Sequence, residues 1–452
     1  VNWRTASIEG IWEAPAYGRL MHIQPQQVCF YDVVGNHLLT RPDLQLSRLG
    51  WEQQHWQQDG LGRLRRIDDF LGVNYRYEIY NRATNQQAWQ KLRLLPGREQ
   101  AGYLFQGGLE LRLFWQSFAL YYIAFERRGV TWPELPQHLA DIQHPAQLLE
   151  QCAQLIAPVR DAHIQLSLDD YPARDFVARP TIWDSFLQQA QQAGIKAHEA
   201  QWDHVFAQTD TLLKIKLSYA PEGQFCQAGN GNLHWFISKE NIGVVIIDAM
   251  EDFSGEELDD ESAQIRADMQ ALDTALQQIV SDLQHCRGIV LDLRSNPGGY
   301  DQHSQLIAKR FLASPTSVYK KQAGLGALQT ETECYQLPPA SGLTLPRMPL
   351  LVLQSASTMS AAELLILMLK ARGNVILAGE TSQGVLSDVL EKRLPCGLEY
   401  GISNERYLSM QDAWFEATGI DVEQRIDYAQ PAHLRAGVDP GLEQAIALLQ
   451  HG

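Results

Sequence analysis

Four short stretches hold residue types that could carry nucleophilic catalysis. The first is TMSAAELLILML, Thr358 to Leu369. Ser360 stands at the mouth of an apolar helix-forming run, and Glu363 follows three residues later. Ser-x-x-Glu is a capping box, in which each side chain serves the other's backbone N–H. The same place sets a hydroxyl beside the free N–H groups and positive dipole end of a helix, where an oxyanion can be held. Ala361 and Ala362 leave room for a substrate backbone. The second stretch is GIVLDLRSNPGG, Gly288 to Gly299. It reads as an ordinary strand–turn–helix joint. It also reads as an exposed backbone in which the Gly298 or Gly299 N–H faces a ligand. The third is LIAPVRDAHIQLSL, where His163 is either a surface histidine at a turn or a general base. The fourth is WFEATGIDVE, where Glu416 is either a solvated carboxylate or the group that orients a histidine.

Those residues need a scaffold. Residues 1–108 alternate short apolar runs with Gly, Pro, Asn and Asp, which predicts a small, mostly β domain. Residues 109–211 predict a helical segment, with apolar residues at helical spacing in LRLFWQSFALYYIAFERRG and PAQLLEQCAQLIAPV. From 212 to 452 buried-strand runs (GVVIIDAM, GIVLDL, PLLVLQ, NVILAGE) alternate with helical runs (ESAQIRADMQALDTALQQIVSDL, GLEQAIALLQ), which predicts an α/β core.

Composition narrows the function classes. The chain has 452 residues, 45% hydrophobic and 20% charged, as a soluble globular protein does. A net charge of −16 argues against nucleic acid and anionic membranes as partners. The chain has no apolar run of the roughly 18 residues a spanning helix needs. Six cysteines without a C-x-x-C pair exclude a zinc ribbon, and His198–His204 does not spell H-E-x-x-H. Neither a phosphate loop nor G-x-G-x-x-G is present. No metal or cofactor is expected. The chain starts at Val1 without Met, which leaves export open.

Taken together and in this order, the stretches resemble the tail-specific (carboxyl-terminal processing) serine protease family. The similarity is greatest to its branch with tricorn-like and retinoid-binding-protein-like modules. GIVLDLRSNPGG resembles the family's hallmark strand and glycine turn, and STMSAAE its nucleophile motif. ILAGETSQG, FEATGIDVE, DPGLEQAIALL, RDAHIQL and GIWEAPAYGRLMHI resemble further segments. Two departures stand out. Val385 occupies the place of the lysine base of the Ser-Lys branch, and Val422-Glu423 replace a usual Pro-Asp. No G-L-G-[FI] carboxylate-binding loop lies between His163 and GVVIIDAM.

The resemblance implies a crotonase/caseinolytic-protease-like ββα-spiral core and an exported peptidase with a Ser360-His163-Glu416 triad. Gly298, Gly299 and Ala361 would supply oxyanion donors. Its partner would be a peptide or protein substrate, and oligomers are open. The rival readings are a non-catalytic protein binding apolar ligands or peptides on the same core, and a hydrolase of non-peptide esters.

Overall fold

Runs that are apolar at every position, rather than at alternate ones, must be covered on both faces. Gly243–Ile247 is such a run, as are Ile289–Asp292 and Leu350–Gln354 up to their polar last residues, and every residue in them is buried. In the computed structural model they form the middle of a seven-stranded sheet. The model describes residues 8–84, 89, 91–135, 142–169, 171–428 and 431–451; Val1 lies outside them. The spatial order of the sheet follows the chain: Cys226–Ala228, Leu233–Ile237, Gly243–Ile247, Ile289–Asp292, Leu350–Gln354, Val375–Gly379, Gln424–Arg425. The first three pair antiparallel with one another, and pairing is parallel from Gly243–Ile247 onward.

Helices Glu261–Leu283, Asp301–Lys309 and Ala361–Arg372 cover one face of this sheet. Helix Pro440–His451 and the end of His198–Leu217 cover the other. The long helix Glu261–Leu283 opens on Asp260, whose carboxylate accepts the Ala263 N–H at 2.7 Å, a regular N-cap.

Eight strands between Gly10 and Leu95 build a second sheet. Strand Gln27–Val34 alternates half-buried and buried residues, as a sheet with one covered face requires. Helices Gly107–Tyr121 and Pro145–Ile156 supply that cover. Their apolar cluster includes Leu166, Leu390, Tyr400 and Ile402. Strand Gln165–Leu168 pairs with Glu399–Ser403, which pairs with Val389–Arg393. Contacts therefore run across all three segments read from the sequence. Lys392 completes the junction: buried in the N-terminal layer, its Nζ donates to Asp32 at 2.7 Å and to the Tyr17 carbonyl at 2.7 Å. Desolvation pulls this lysine down to about 8, against the attraction of Asp32.

Candidate active site

Parallel strands send their C-terminal ends to one edge, where loops converge. Ile289–Asp292 and Leu350–Gln354 are register neighbours, so their following loops lie side by side. Hydrogen bonds lock them together. Thr358 Oγ1 donates to the Leu293 carbonyl at 2.8 Å, Ser355 Oγ to that of Arg294 at 2.6 Å, and the Met359 N–H to that of Asn296 at 3.1 Å. Asn296 Nδ2 reaches back to the Ile247 carbonyl at 2.9 Å. The glycine turn is thereby pinned to strands on both sides.

Gly298 and Gly299 have φ of 98° and 138°, a region side chains disfavour. Space forbids a side chain as well. A Cβ on Gly298 would lie 2.7 Å from Ser360 Cβ and 3.1 Å from the Ala361 nitrogen. A Cβ on Gly299 would lie 2.3 Å from the Met250 carbonyl oxygen. Ser360, Gly298 and the Ala361 N–H are therefore in one place. The Gly298 N–H is occupied, donating to Asn296 Oδ1 at 2.9 Å. The Gly299 and Ala361 N–H groups have no acceptor among the described residues.

Ser360 precedes helix Ala361–Arg372 with φ 52° and ψ −124°. Its N–H donates to the Val385 carbonyl at 3.1 Å and approaches Glu363 Oε2 at 3.3 Å. Glu363 does more than cap. Its buried carboxylate also accepts from Ser382 Oγ (2.5 Å), Gly384 N–H (2.8 Å) and Val385 N–H (2.9 Å). Burial raises its pKa, and these donors hold it back. The loop 382–385 is thus laced to the first turn of the helix.

His163 follows a turn in which the Ile164 N–H returns to the Asp161 carbonyl at 3.0 Å. The His163 N–H donates to Asp161 Oδ1 at 3.0 Å. Its Nδ1 has no hydrogen-bond partner among the described residues. The ring borders a cleft of about 380 Å³ with Ala162, Gln165, Val389, Glu391, Tyr400 and Gly401. Desolvation lowers its pKa from 6.5; Asp161 and Asp388 oppose this, and Arg128 adds to it. A neutral ring at neutral pH is the form a general base needs.

Glu416 is fully buried. Its Oε2 accepts the Leu386 and Ser387 N–H groups at 2.9 and 3.1 Å, and its Oε1 accepts Arg128 Nη2 at 2.8 Å. Burial and the Asp161 charge push it up to about 8, against Arg128. Among the described residues no hydrogen bond joins Ser360 to His163, or His163 to Glu416. What connects the three is the loop 384–387 together with Arg128. The sequence reading missed Arg128 and the Asp161 carboxylate. The only local signals were the paired arginines of FERRG and the first letter of D-A-H.

Residues 241–426 match the sequence profile of peptidase family S41. The matched segment is under half of the chain's 452 residues, and over it the chain is similar to that family. A carboxyl-terminal-processing protease of Picosynechococcus sp. is 30% identical over 161 residues, covering 35% of this chain and 36% of that protein. The carboxy-terminal processing protease CtpA of Bacillus subtilis is 25% identical over 216 residues, covering 46% and 44%. The chain thus spans less than half the length of these relatives. A Parabacteroides merdae crystal structure assigned to the peptidases superposes with a TM-score of 0.57 at 19% identity, covering 76% of this chain and 97% of that one. That likeness concerns fold alone.

Within the matched segment lies Val385, which the sequence resemblance sets at the place of the Ser-Lys branch's base. It is fully buried, and its carbonyl takes the Ser360 N–H. A hydrocarbon side chain there transfers no proton, so any base must come from elsewhere. No group of three or more His, Cys, Asp or Glu among the described residues could hold a metal ion. All six cysteines are unpaired. Among the described residues no helix is long and apolar enough to cross a membrane.

Proposed function

We propose that the chain is a serine peptidase that works through an acyl-enzyme. The observation that carries this reading is the packing of Ser360 against Gly298 beside the free Ala361 N–H. Ser360 Oγ attacks a peptide carbonyl while His163 takes its proton. The Ala361 and Gly299 N–H groups receive the oxyanion, the Gly298 N–H being occupied by Asn296. His163 then protonates the leaving amine, and water releases the acyl group. Glu416 completes the triad in this reading at one remove, acting through Arg128 and Asp161.

The substrate is read as a peptide or protein, by analogy with the processing proteases to which the core is similar. The ββα-spiral reading of the core belongs here too. Its support is the repeated passage from parallel strand to helix at Ile289–Lys309 and Leu350–Arg372. The experiment is labelling with a fluorophosphonate, read by peptide mass spectrometry. Modification of Ser360 that disappears in His163→Ala is the expected result. A folded wild type left unmodified would overturn the reading.

A further inference from the structure

We propose that Arg128 is a positioning residue, whose guanidinium fastens the turn carrying His163 to the loop behind Ser360. The proposal rests on the catalytic reading of Ser360 and His163 above. Arg128 lies in the turn that ends the first helical stretch, its N–H donating to the Ala124 carbonyl at 3.0 Å. Its side chain is only 3% exposed. A buried guanidinium needs every donor met and its charge compensated. The charge is compensated, and Nη1 and Nη2 are bonded, from two separate parts of the chain, while Nε has no partner among the described residues.

On one side stands the His163 turn. Nη1 donates to the Arg160 carbonyl at 2.6 Å, and Nη2 lies 3.3 Å from Asp161 Oδ2. Asp161 in turn holds the His163 N–H. On the other side stands the nucleophile's support. Nη2 donates to Glu416 Oε1 at 2.8 Å and to the Gly384 carbonyl at 3.2 Å. Glu416 holds the Leu386 and Ser387 N–H groups, and Val385 beside Gly384 receives the Ser360 N–H. The neighbouring Arg127 grips the same segment, donating to the Glu416 carbonyl at 2.9 Å and that of Trp414 at 2.8 Å. One rigid fork therefore sets how base and nucleophile lie relative to each other. Asp161 is further tied by Tyr122 Oη and Ser403 Oγ at 2.8 and 2.9 Å, so it is anchored without Arg128. What those bonds do not supply is the link to the loop 384–387.

A lysine keeps the charge but presents a point donor on a flexible stem rather than a planar fork. Arg128→Lys therefore separates charge compensation from geometry, and it avoids leaving two buried carboxylates unpaired. The full chain is treated with the fluorophosphonate, and the rate of Ser360 modification is read beside thermal melting. Arg128→Lys is expected to melt as a folded protein and to label about a hundredfold more slowly, the scale of a misplacement near 1 Å. Arg128→Ala is expected to regain labelling in millimolar guanidinium. Its acid limb should also shift to higher pH, since a positive charge beside His163 is gone. Folded Arg128→Lys labelling at the wild-type rate would overturn the proposal, even with a lowered melting temperature. A wild type that is not labelled at Ser360 would instead remove the catalytic reading itself.

Discussion

Ser360 holds a backbone conformation that serine rarely adopts, φ 52° and ψ −124°. Such a residue costs on the order of 1–3 kcal/mol and persists only where its surroundings impose it. Here the Val385 carbonyl and the Gly298 turn impose it. Ser360→Ala should therefore abolish labelling while staying within about 1 kcal/mol of wild-type stability in denaturant titration. Ser360→Gly, free of the steric penalty, should melt no lower than Ser360→Ala. Gly298→Ala should do the reverse of a silent change. Its Cβ would meet Ser360 Cβ at 2.7 Å, so activity should fall and stability drop by about 1–3 kcal/mol. His163, held below its ordinary pKa, should give a labelling rate that rises through a pH below 6.5 and is flat at neutrality. Ser360 and the two glycines were legible because helix starts and tight turns are written in adjacent letters. The occupied Gly298 N–H was not, because its acceptor, Asn296 Oδ1, depends on how a side chain two residues away is turned.

At the scale of elements, the loop 382–387 is shaped by two buried carboxylates. Glu363 takes four donors, three of them from that loop. Glu363→Gln would turn an amide NH2 toward N–H donors, and unfolding measurements should show a loss of about 1–3 kcal/mol. Glu416 has the opposite pH signature to a surface ion pair. Its carboxyl, near 4.5 when unfolded, is pushed up to about 8 when folded. Its contribution to stability is therefore complete at acid pH and lost as pH rises from about 4.5 through about 8. Denaturant titrations across that window should show this decline in wild type and a flatter profile in Glu416→Gln. Continuous apolar runs announced the parallel strands, and a long amphipathic pattern announced helix Glu261–Leu283. Neither pattern says which distant carbonyl a buried arginine will meet, and so Arg128 and the joining of Asp161 to Glu416 stayed hidden in FERRG and D-A-H.

Across the whole molecule, charge is buried in knots that join distant segments. Arg294, directly after the hallmark strand, is held between Asp292 and Asp439, with bonds of 2.6 Å to each. Lys216 adds a third segment, 3.2 Å from Asp292. Asp439→Ala should cost about 3 kcal/mol in denaturant titration, since a buried arginine loses half its compensation. It should lower activity too, because the Arg294 carbonyl anchors Ser355 in the nucleophile loop. The alternation of apolar and helical runs foretold a sheet with helices on it. It did not foretell that strand Gln165–Leu168 would pair with Glu399–Ser403, or that Lys392 would reach Asp32. That pairing has a consequence in time. During synthesis at about 5–20 residues per second, Gln165–Leu168 waits on the order of ten to fifty seconds before its partner strand exists. The apolar faces of the first sheet and its helices stay incomplete for the same interval, because Leu390, Tyr400 and Ile402 belong to their core. Closing such distant pairs is slow in any medium. The nascent chain must therefore be shielded, or outrun its own aggregation, before its beginning can meet its end.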